Sequence, residues 1–270
     1  MASTLFHLFG LPIRAFGLCM ALGFLSAWWV AGVVWRERGR QETDLSALVS
    51  WTMISGVLGA RVAYILEHWS AEFANNPMAM VRIDQGGLMF YGGLIGAAMV
   101  LMFFNRLKRW SLIETSDIVL MVLPLGQAFG RIGCFLNGCC HGRLVSHWGI
   151  VYPKDSPAYL LQCWQGLIPP TAAKALPVFP SQLLEATCAL SLFAALFLLR
   201  KRLQRFRGAA TALYLAGYGI IRFLVELTRG DARMDVGPFS ISQFISLLLI
   251  GTALAVTLAH GREWREARRG

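Results

Sequence analysis

The sequence of 270 residues is short of charge. Only 15% of its residues are Asp, Glu, Lys or Arg, whereas 56% are hydrophobic and the mean hydropathy is +0.54. A soluble domain carries about a quarter charged residues. Several stretches approach or exceed the ~18 mostly apolar residues that mark a membrane-spanning helix. The low content of charged residues and the long apolar stretches argue against a soluble enzyme. They predict an all-α membrane protein, with residues 1–270 forming one transmembrane bundle domain.

Two features of many secreted proteins are missing, a disulfide framework and a cleavable signal sequence. The six cysteines are too few and too scattered to build a disulfide scaffold. Cys19 and Cys188 lie inside apolar runs, where a cysteine usually acts as a small buried hydrophobic residue. Residues 1–14, MASTLFHLFGLPIR, lack a basic start and a small-residue cleavage motif, so we expect this segment to be retained.

The apolar runs and the basic residues together predict a topology. Seven candidate spans lie at residues 12–35, 46–68, 86–105, 113–136, 182–199, 209–228 and 238–259. Most of the basic residues follow the odd-numbered spans or lie in the C-terminal tail, and such residues stay on the cytoplasmic side. We therefore expect an outside N-terminus and a cytoplasmic C-terminus. The net charge of +10 is then explained by the basic residues on the cytoplasmic side of the membrane. We therefore expect no nucleic-acid partner.

The longest connection, residues 137–181, joins spans four and five. It is rich in Pro, Gly and aromatic residues. The predicted topology makes it an extracytoplasmic, periplasmic loop. A loop of this length usually has a function or carries short elements of its own.

Few ionisable residues fall inside the predicted spans, and each is a functional candidate because a charge in lipid is costly. Arg61, Arg131 and Arg222 lie on three spans, roughly 20–27 Å from the cytoplasmic side at the rise of a helix. They share the level of the outer leaflet, which Tyr91 reaches in span three. With Glu226 as the one acid counted nearby, we expect a positive cavity for an anion. A phospholipid headgroup is the simplest occupant, because guanidinium groups match phosphate.

Each of these charges also has a structural explanation. Arg222 and Glu226 are four residues apart and can pair on one helix face. Arg61 can extend its head group toward the membrane surface, and Asp117 can pair with a cytoplasmic base. The glycine-rich segment YGGLIG, residues 91–96, lets helices approach closely, whether for a substrate site or for packing alone.

The segment GRIGCFLNGCCHGR, residues 130–143, resembles a family signature, G-R-x-G-N-F-x-N-G-E-x-x-G-R. The family is the prolipoprotein diacylglyceryl transferases of bacterial inner membranes. Other motifs of that family follow in the expected order across nearly the whole chain, among them GVLGARVAYIL, GGLIG, PSQLLE and YGIIRFLVELTRGD. The resemblance implies a cofactor-free, multi-pass enzyme. Its members transfer a diacylglyceryl group from phosphatidylglycerol to the thiol of a lipobox cysteine in a preprolipoprotein, and they release glycerol phosphate.

The resemblance also implies a set of site residues and partners. Arg131, Arg222 and Tyr91 are expected to be catalytic, and Tyr91 stands where the family usually has a histidine. The expected substrate-binding residues are Arg61, Tyr64, Asn137, Gly142, Arg143, Tyr218, Glu226 and Arg229. The expected partners are phosphatidylglycerol, the preprolipoprotein signal peptide and membrane lipid.

The chain departs from the family pattern at several polar positions. Besides Tyr91, Cys134 replaces an asparagine, Cys139 a glutamate, Phe16 a tyrosine and Phe179 a histidine. Other functions therefore stay open: a related enzyme with another acceptor, or a non-catalytic protein that binds phospholipid or lipoprotein. A solute transporter is less favoured, because no pair of discontinuous repeats is visible.

The predicted outer end of span four holds three cysteines and two histidines, at Cys134, Cys139, Cys140, His141 and His147. Structural zinc favours a C-x2–4-C pair with a second matching pair, and this spacing just misses it, so we predict no metal site. A disulfide from Cys139 or Cys140 to Cys163 is favoured over metal, because the compartment is oxidising. A reactive thiol beside Arg131 that forms a covalent intermediate is the third alternative.

Overall fold

Long apolar helices make up most of the structure, a computed structural model that describes residues 4–8, 11–74, 77–82, 87–146, 148–230, 235–236 and 239–266. The elements in chain order are β1 (Thr4–Leu8), β2 (Leu11–Arg14), α1 (Ala15–Glu37), α2 (Glu42–Glu67), a π-helical turn (Trp69–Phe73), a 3-10 helix (Pro77–Val81), α3 (Phe90–Lys108), α4 (Leu112–Asn137), α5 (Pro157–Trp164), α6 (Ser181–Leu198), α7 (Arg200–Leu203), α8 (Ala209–Glu226), β3 (Asp235–Val236), β4 (Phe239–Ser240) and α9 (Ile241–Glu266). The strands form two antiparallel hairpins, β1–β2 and β3–β4.

Six of these helices are long and apolar enough to cross a membrane. They are α1, α2, α4, α6, α8 and the Ile241–Gly261 part of α9. Their lengths of 18 to 26 residues correspond to about 27–39 Å of helix, which suits a hydrocarbon core of about 30 Å. The prediction of a helical membrane protein is therefore confirmed. The helix α3 adds a further 19 residues of helix between α2 and α4.

The chain divides into two compact units, one formed by Met1–Ala31 with Ser116–Gly270 and the other by Gly32–Thr115. In the second unit α2 and α3 pack closely because glycines face each other. A Cβ atom on Gly59 or Gly92 would collide with the backbone of the partner helix, and one on Gly93 would lie 3.1 Å from the carbonyl oxygen of Gly56. The prediction that YGGLIG allows close helix approach is confirmed.

In the first unit a carboxylate on α4 fixes the start of α8. Asp117 is 1% exposed. Its Oδ2 accepts a hydrogen bond from the Gly208 N–H, and its Oδ1 accepts from the N–H and the hydroxyl of Thr211, each at 2.8 Å. The first N–H groups of a helix have no partner within the helix, and a negative charge complements the helix dipole there. Asp117 thus caps α8.

The connection between α4 and α6 is well structured, as its length led us to expect. It contains α5 and short β-bridges, including Ile150 with Val178 and Pro153 with Lys174. A small apolar core holds it together, formed by Tyr152, Ala158, Tyr159, Ile168, Ala175 and Val178. The Tyr159 hydroxyl, which can donate only one hydrogen bond, lies 2.7 Å from the carbonyl oxygen of Pro170 and 2.9 Å from that of Ala172.

The Asp117→Ala substitution should destabilise the protein, because three buried donors at the start of α8 would lose their acceptor. We expect the free energy of unfolding to fall by about 2–4 kcal/mol, measured by SDS titration in mixed micelles. Thr211→Val removes only one of the hydrogen bonds and should cost about 1 kcal/mol. Equal stability of Asp117→Ala and the wild type would contradict the capping role.

Candidate functional site

Two ion pairs, each with a buried carboxylate, stand at the centre of the site. Arg131 on α4 places Nη2 3.0 Å from Oε1 of Glu185 on α6, and Arg222 on α8 places Nη2 2.7 Å from Oε2 of Glu226, one turn further along the same helix. The carboxylate side chains are only 4% and 6% exposed. Removing one partner of a buried ion pair strongly destabilises a protein, because the other charge is left buried and unpaired.

The position of Glu185 corrects the predicted charge balance. Glu226 was counted as the one acid near these arginines, which is wrong because Glu185 is buried inside the helix bundle and pairs with Arg131. Glu185 lies near the start of the predicted span 182–199, where a carboxylate can stay hydrated. Arg131 and Arg222 thus each have their own carboxylate, so the expected excess of positive charge is not found at this pair.

One nitrogen of the Arg222 guanidinium nevertheless lacks a hydrogen-bond acceptor among the described residues. Its Nη2 also bonds the Ser242 hydroxyl at 2.8 Å, and Glu226 is held in turn by the Ser240 hydroxyl at 2.8 Å. The other terminal nitrogen, Nη1, is buried and has no hydrogen-bond partner among the described residues. Such a group costs free energy unless an acceptor reaches it. An oxygen atom of a bound anion would meet that need.

Tyr218 links the two arginines electrostatically. It lies on α8 and interacts electrostatically with both Arg131 and Arg222. Its ring stacks on that of Tyr214 at a centroid distance of 5.7 Å, and the Gln127 amide donates a hydrogen bond of 2.9 Å to the Tyr214 hydroxyl. The predicted site residues Arg131, Tyr218, Arg222 and Glu226 therefore lie in one network across α4 and α8.

The chain after α4 passes between two other backbone segments. The Gly142 N–H donates to the Phe179 carbonyl at 2.8 Å, and the Arg143 N–H donates to the Thr228 carbonyl at 3.0 Å. A Cβ atom on Gly142 would lie 2.7 Å from both of those carbonyl oxygens. Gly142 is thus required for this close approach and forms a β-bridge with Arg229, while the Arg143 side chain is exposed.

A cleft of about 850 Å³ lies beside the end of α4. Its lining includes Asn137, the predicted substrate residue, together with Arg14, Phe16, Cys134, Cys139 and Cys140. The helix end is anchored from α6, where the buried Gln182 amide donates to the Cys139 carbonyl at 2.7 Å. The Gln182 amide also donates a hydrogen bond of 3.3 Å to the Tyr152 hydroxyl. Burial raises the pKa of Tyr152 to about 12.

The other predicted residues belong to the unit Gly32–Thr115. Arg61 is 7% exposed and donates hydrogen bonds to four backbone carbonyls, those of Ala79 at 2.6 Å, Met80 at 3.0 Å, Arg82 at 3.1 Å and Gly87 at 3.0 Å.

Tyr64 donates from its hydroxyl to the Glu72 carboxylate. Tyr91 lies in the first turn of α3 and is 55% exposed. Within this unit Arg61 holds a loop. The roles of Arg61 and Tyr64 in substrate binding and of Tyr91 in catalysis stay predictions.

All six cysteines are free thiols, so the predicted disulfide to Cys163 is not formed. Cys163 contacts the Pro169 carbonyl, whereas Cys134, Cys139 and Cys140 lie together. The neighbouring Cys134 and Cys139 thiols, aided by the charge of Arg229, lower the pKa of the Cys140 thiol. His141 is buried with its Nδ1 2.8 Å from the Gly142 carbonyl. His147, the other predicted ligand candidate, lies outside the described residues.

Comparisons with known proteins match the resemblance seen in the signature. A family model described as prolipoprotein diacylglyceryl transferase matches residues 3–259. The chain is 34% identical over 257 residues to phosphatidylglycerol–prolipoprotein diacylglyceryl transferase 2 of Clostridium perfringens, a match that covers 94% of each chain. It is 32% identical over 261 residues to the phosphatidylglycerol–prolipoprotein diacylglyceryl transferase of Idiomarina loihiensis, covering 94% of this chain and 91% of that one. The chain belongs to the prolipoprotein diacylglyceryl transferase family.

Proposed function

We propose that the protein transfers a diacylglyceryl group from phosphatidylglycerol to the thiol of a lipobox cysteine in a preprolipoprotein, in a bacterial inner membrane. The family match along almost the whole chain supports the reaction. The observation that carries the proposal in the structure is the buried Nη1 of Arg222, which has no hydrogen-bond partner among the described residues. It belongs to the network that includes Arg131. A phosphodiester supplies the acceptor oxygens that such a donor needs.

The topology we propose has seven crossings. In it α3 is the third span, the N-terminus is outside and the C-terminus is cytoplasmic. The distribution of basic residues supports this orientation. It makes the connection of residues 137–181 extracytoplasmic, on the side where a secreted preprolipoprotein presents its cysteine.

In the proposed binding step, the phosphate of phosphatidylglycerol accepts hydrogen bonds from Arg222 and Arg131. A guanidinium has five N–H donors, and the carboxylates of Glu226 and Glu185 occupy only some of them. The carboxylates hold the guanidiniums in place and keep the free protein close to neutral at this point. The Arg222 Nη1 then gains its missing acceptor on binding.

In the proposed chemical step, the acceptor sulfur bonds to the terminal glyceryl carbon of the diacylglyceryl group. The bond between that carbon and the phosphate oxygen breaks, and the oxygen leaves with the electron pair as glycerol phosphate. Negative charge grows on the leaving phosphate, and the guanidiniums of Arg131 and Arg222 stabilise it. The thiol proton passes to water, because the positive groups favour the thiolate over the thiol.

Tyr91 is proposed to orient the lipid through its hydroxyl. A tyrosine phenol is a weaker base at neutral pH than the histidine usual at this position. The chain therefore relies on the arginines to lower the pKa of the acceptor thiol, and Tyr91 contributes a hydrogen bond.

Replacing Arg222 tests the headgroup site. Arg222→Ala should lower the rate of lipid transfer to a lipobox peptide at least about a hundredfold, since an oriented donor to the developing charge is lost. Arg222→Lys should recover only part of the rate, because an ammonium cannot bond both a carboxylate and a phosphate in a fork. The control is Arg205→Ala, which removes an exposed arginine outside this network. Full activity of folded Arg222→Ala protein would refute the proposal.

Replacing Tyr91 separates a transferase from a non-catalytic lipid-binding relative. The wild-type gene should rescue the growth of a bacterial strain depleted of its own transferase. The Tyr91→Phe variant should transfer lipid about tenfold more slowly than the wild type, because one hydrogen bond is lost. Growth of the depleted strain and lipid transfer to a lipobox peptide are the two measurements. Rescue by Tyr91→His alone, and not by the wild type, would favour a lipid-binding protein that has lost its chemistry.

A further inference from the structure

Three thiols form a compact cluster at the end of α4. The sulfur atoms of Cys134, Cys139 and Cys140 all lie within 4.8 Å of one another. Cys134 belongs to the last turn of the helix, and the other two belong to the turn that follows. The proposed transfer reaction uses none of them, since its acceptor thiol belongs to the preprolipoprotein.

The backbone is shaped to bring these side chains together. Gly138 ends α4 with a positive φ of 78°, and its N–H and that of Cys139 both donate to the Cys134 carbonyl, at 3.0 and 3.2 Å. Cys140 also has a positive φ, 57°, a conformation that residues other than glycine rarely adopt. The buried Gln182 holds the turn through the Cys139 carbonyl. Residues that are five and six positions from Cys134 thus return to it.

The separation of the sulfur atoms suits a metal ion. Metal–sulfur bonds of about 2.3 Å place three sulfur ligands about 3.8–4.0 Å apart in tetrahedral or trigonal geometry. The cluster needs to contract by less than about 1 Å to reach that geometry. Thiolates favour soft ions such as Zn²⁺ and Cu⁺ over Mg²⁺ or Ca²⁺.

The surroundings provide charge compensation and access. Three thiolates around a divalent ion carry a net charge of –1. Arg229 interacts electrostatically with Cys140, and Arg131 does so with Cys134 and Cys140. The three cysteines line the cleft of about 850 Å³, which gives an ion a path of entry and room for a water molecule as a further ligand.

We propose that Cys134, Cys139 and Cys140 form a three-thiolate site for a soft metal ion, Zn²⁺ or Cu⁺, with a remaining coordination position open to the cleft. Each S–H bond is replaced by a sulfur–metal bond, and binding releases up to three protons. The site rests on the sulfur geometry and not on lipid transfer, so either proposal can fail without the other.

Metal titration of the purified full-length protein in detergent tests this site. The reduced, metal-free protein is titrated with Co²⁺, a visible-absorbing probe for Zn²⁺ sites, and separately with Cu⁺ held by a chromogenic chelator. We expect one ion per chain and sulfur-to-metal charge-transfer absorption. The Ser variants of Cys134, Cys139 and Cys140 should each weaken binding at least about a hundredfold, more than loss of an outer-shell partner does. Cys163→Ser and Cys188→Ser are the matched controls and should bind as the wild type does.

A protection experiment on the wild-type protein does not depend on the folding of any variant. Bound ion should shield Cys134, Cys139 and Cys140 from alkylation, as read by mass spectrometry, and leave Cys163 reactive. Equal alkylation of the three with and without Co²⁺ or Cu⁺ would overturn the proposal. Binding that persists when all three are serine would also overturn it, as would a disulfide among them with no ion uptake after reduction.

Discussion

The pairing of two arginines with buried carboxylates is the constraint on which the first unit depends. Arg131 and Arg222 lie in mostly apolar helices, where an unpaired charge is very costly. Glu185 from α6 and Glu226 from α8 meet them at 3.0 and 2.7 Å. The ion pair of Arg131 ties α4 to α6, and the cap supplied by Asp117 ties α4 to α8. Three helices are thereby held together by polar contacts inside an apolar bundle.

The same constraint shapes the proposed function. A pair of arginines neutralised by carboxylates is stable in the free protein, and a fully uncompensated positive cavity would not be. The Nη1 of Arg222 is the group that this arrangement leaves without an acceptor among the described residues. A phosphodiester in the membrane provides an acceptor together with two acyl chains that suit the surrounding lipid. The proposed binding of the donor lipid rests on this arrangement of charges.

Much of this could be predicted from the sequence because its signals are local. Apolar runs predicted the membrane helices, and the segment YGGLIG predicted a close approach of helices, which the structure shows between α2 and α3. The ordered motifs predicted the family. Ion pairs between residues that are far apart in the sequence were harder to predict. Nothing near Glu185 in the sequence indicated that it pairs with Arg131, which lies on another helix.

The cysteines show the same limit of sequence reasoning. Spacing rules for metal sites assume ligands on a simple turn, and Cys134 and Cys139 just miss the usual interval. The helix end at Gly138 and the left-handed Cys140 reverse the chain, so sulfur atoms that seemed badly spaced meet within 4.8 Å. Asn137 followed by Gly138 was the available signal, since glycine after a helix commonly takes a left-handed conformation.

Binding of lipid by the purified protein tests the central claim most directly. Native mass spectrometry of the wild-type protein and of Arg222→Gln, each incubated with phosphatidylglycerol or with uncharged diacylglycerol, separates recognition of the phosphate from recognition of the acyl chains. The account predicts that the wild type retains phosphatidylglycerol in preference to diacylglycerol and that Arg222→Gln loses this preference. An unchanged preference in a folded Arg222→Gln protein would contradict it.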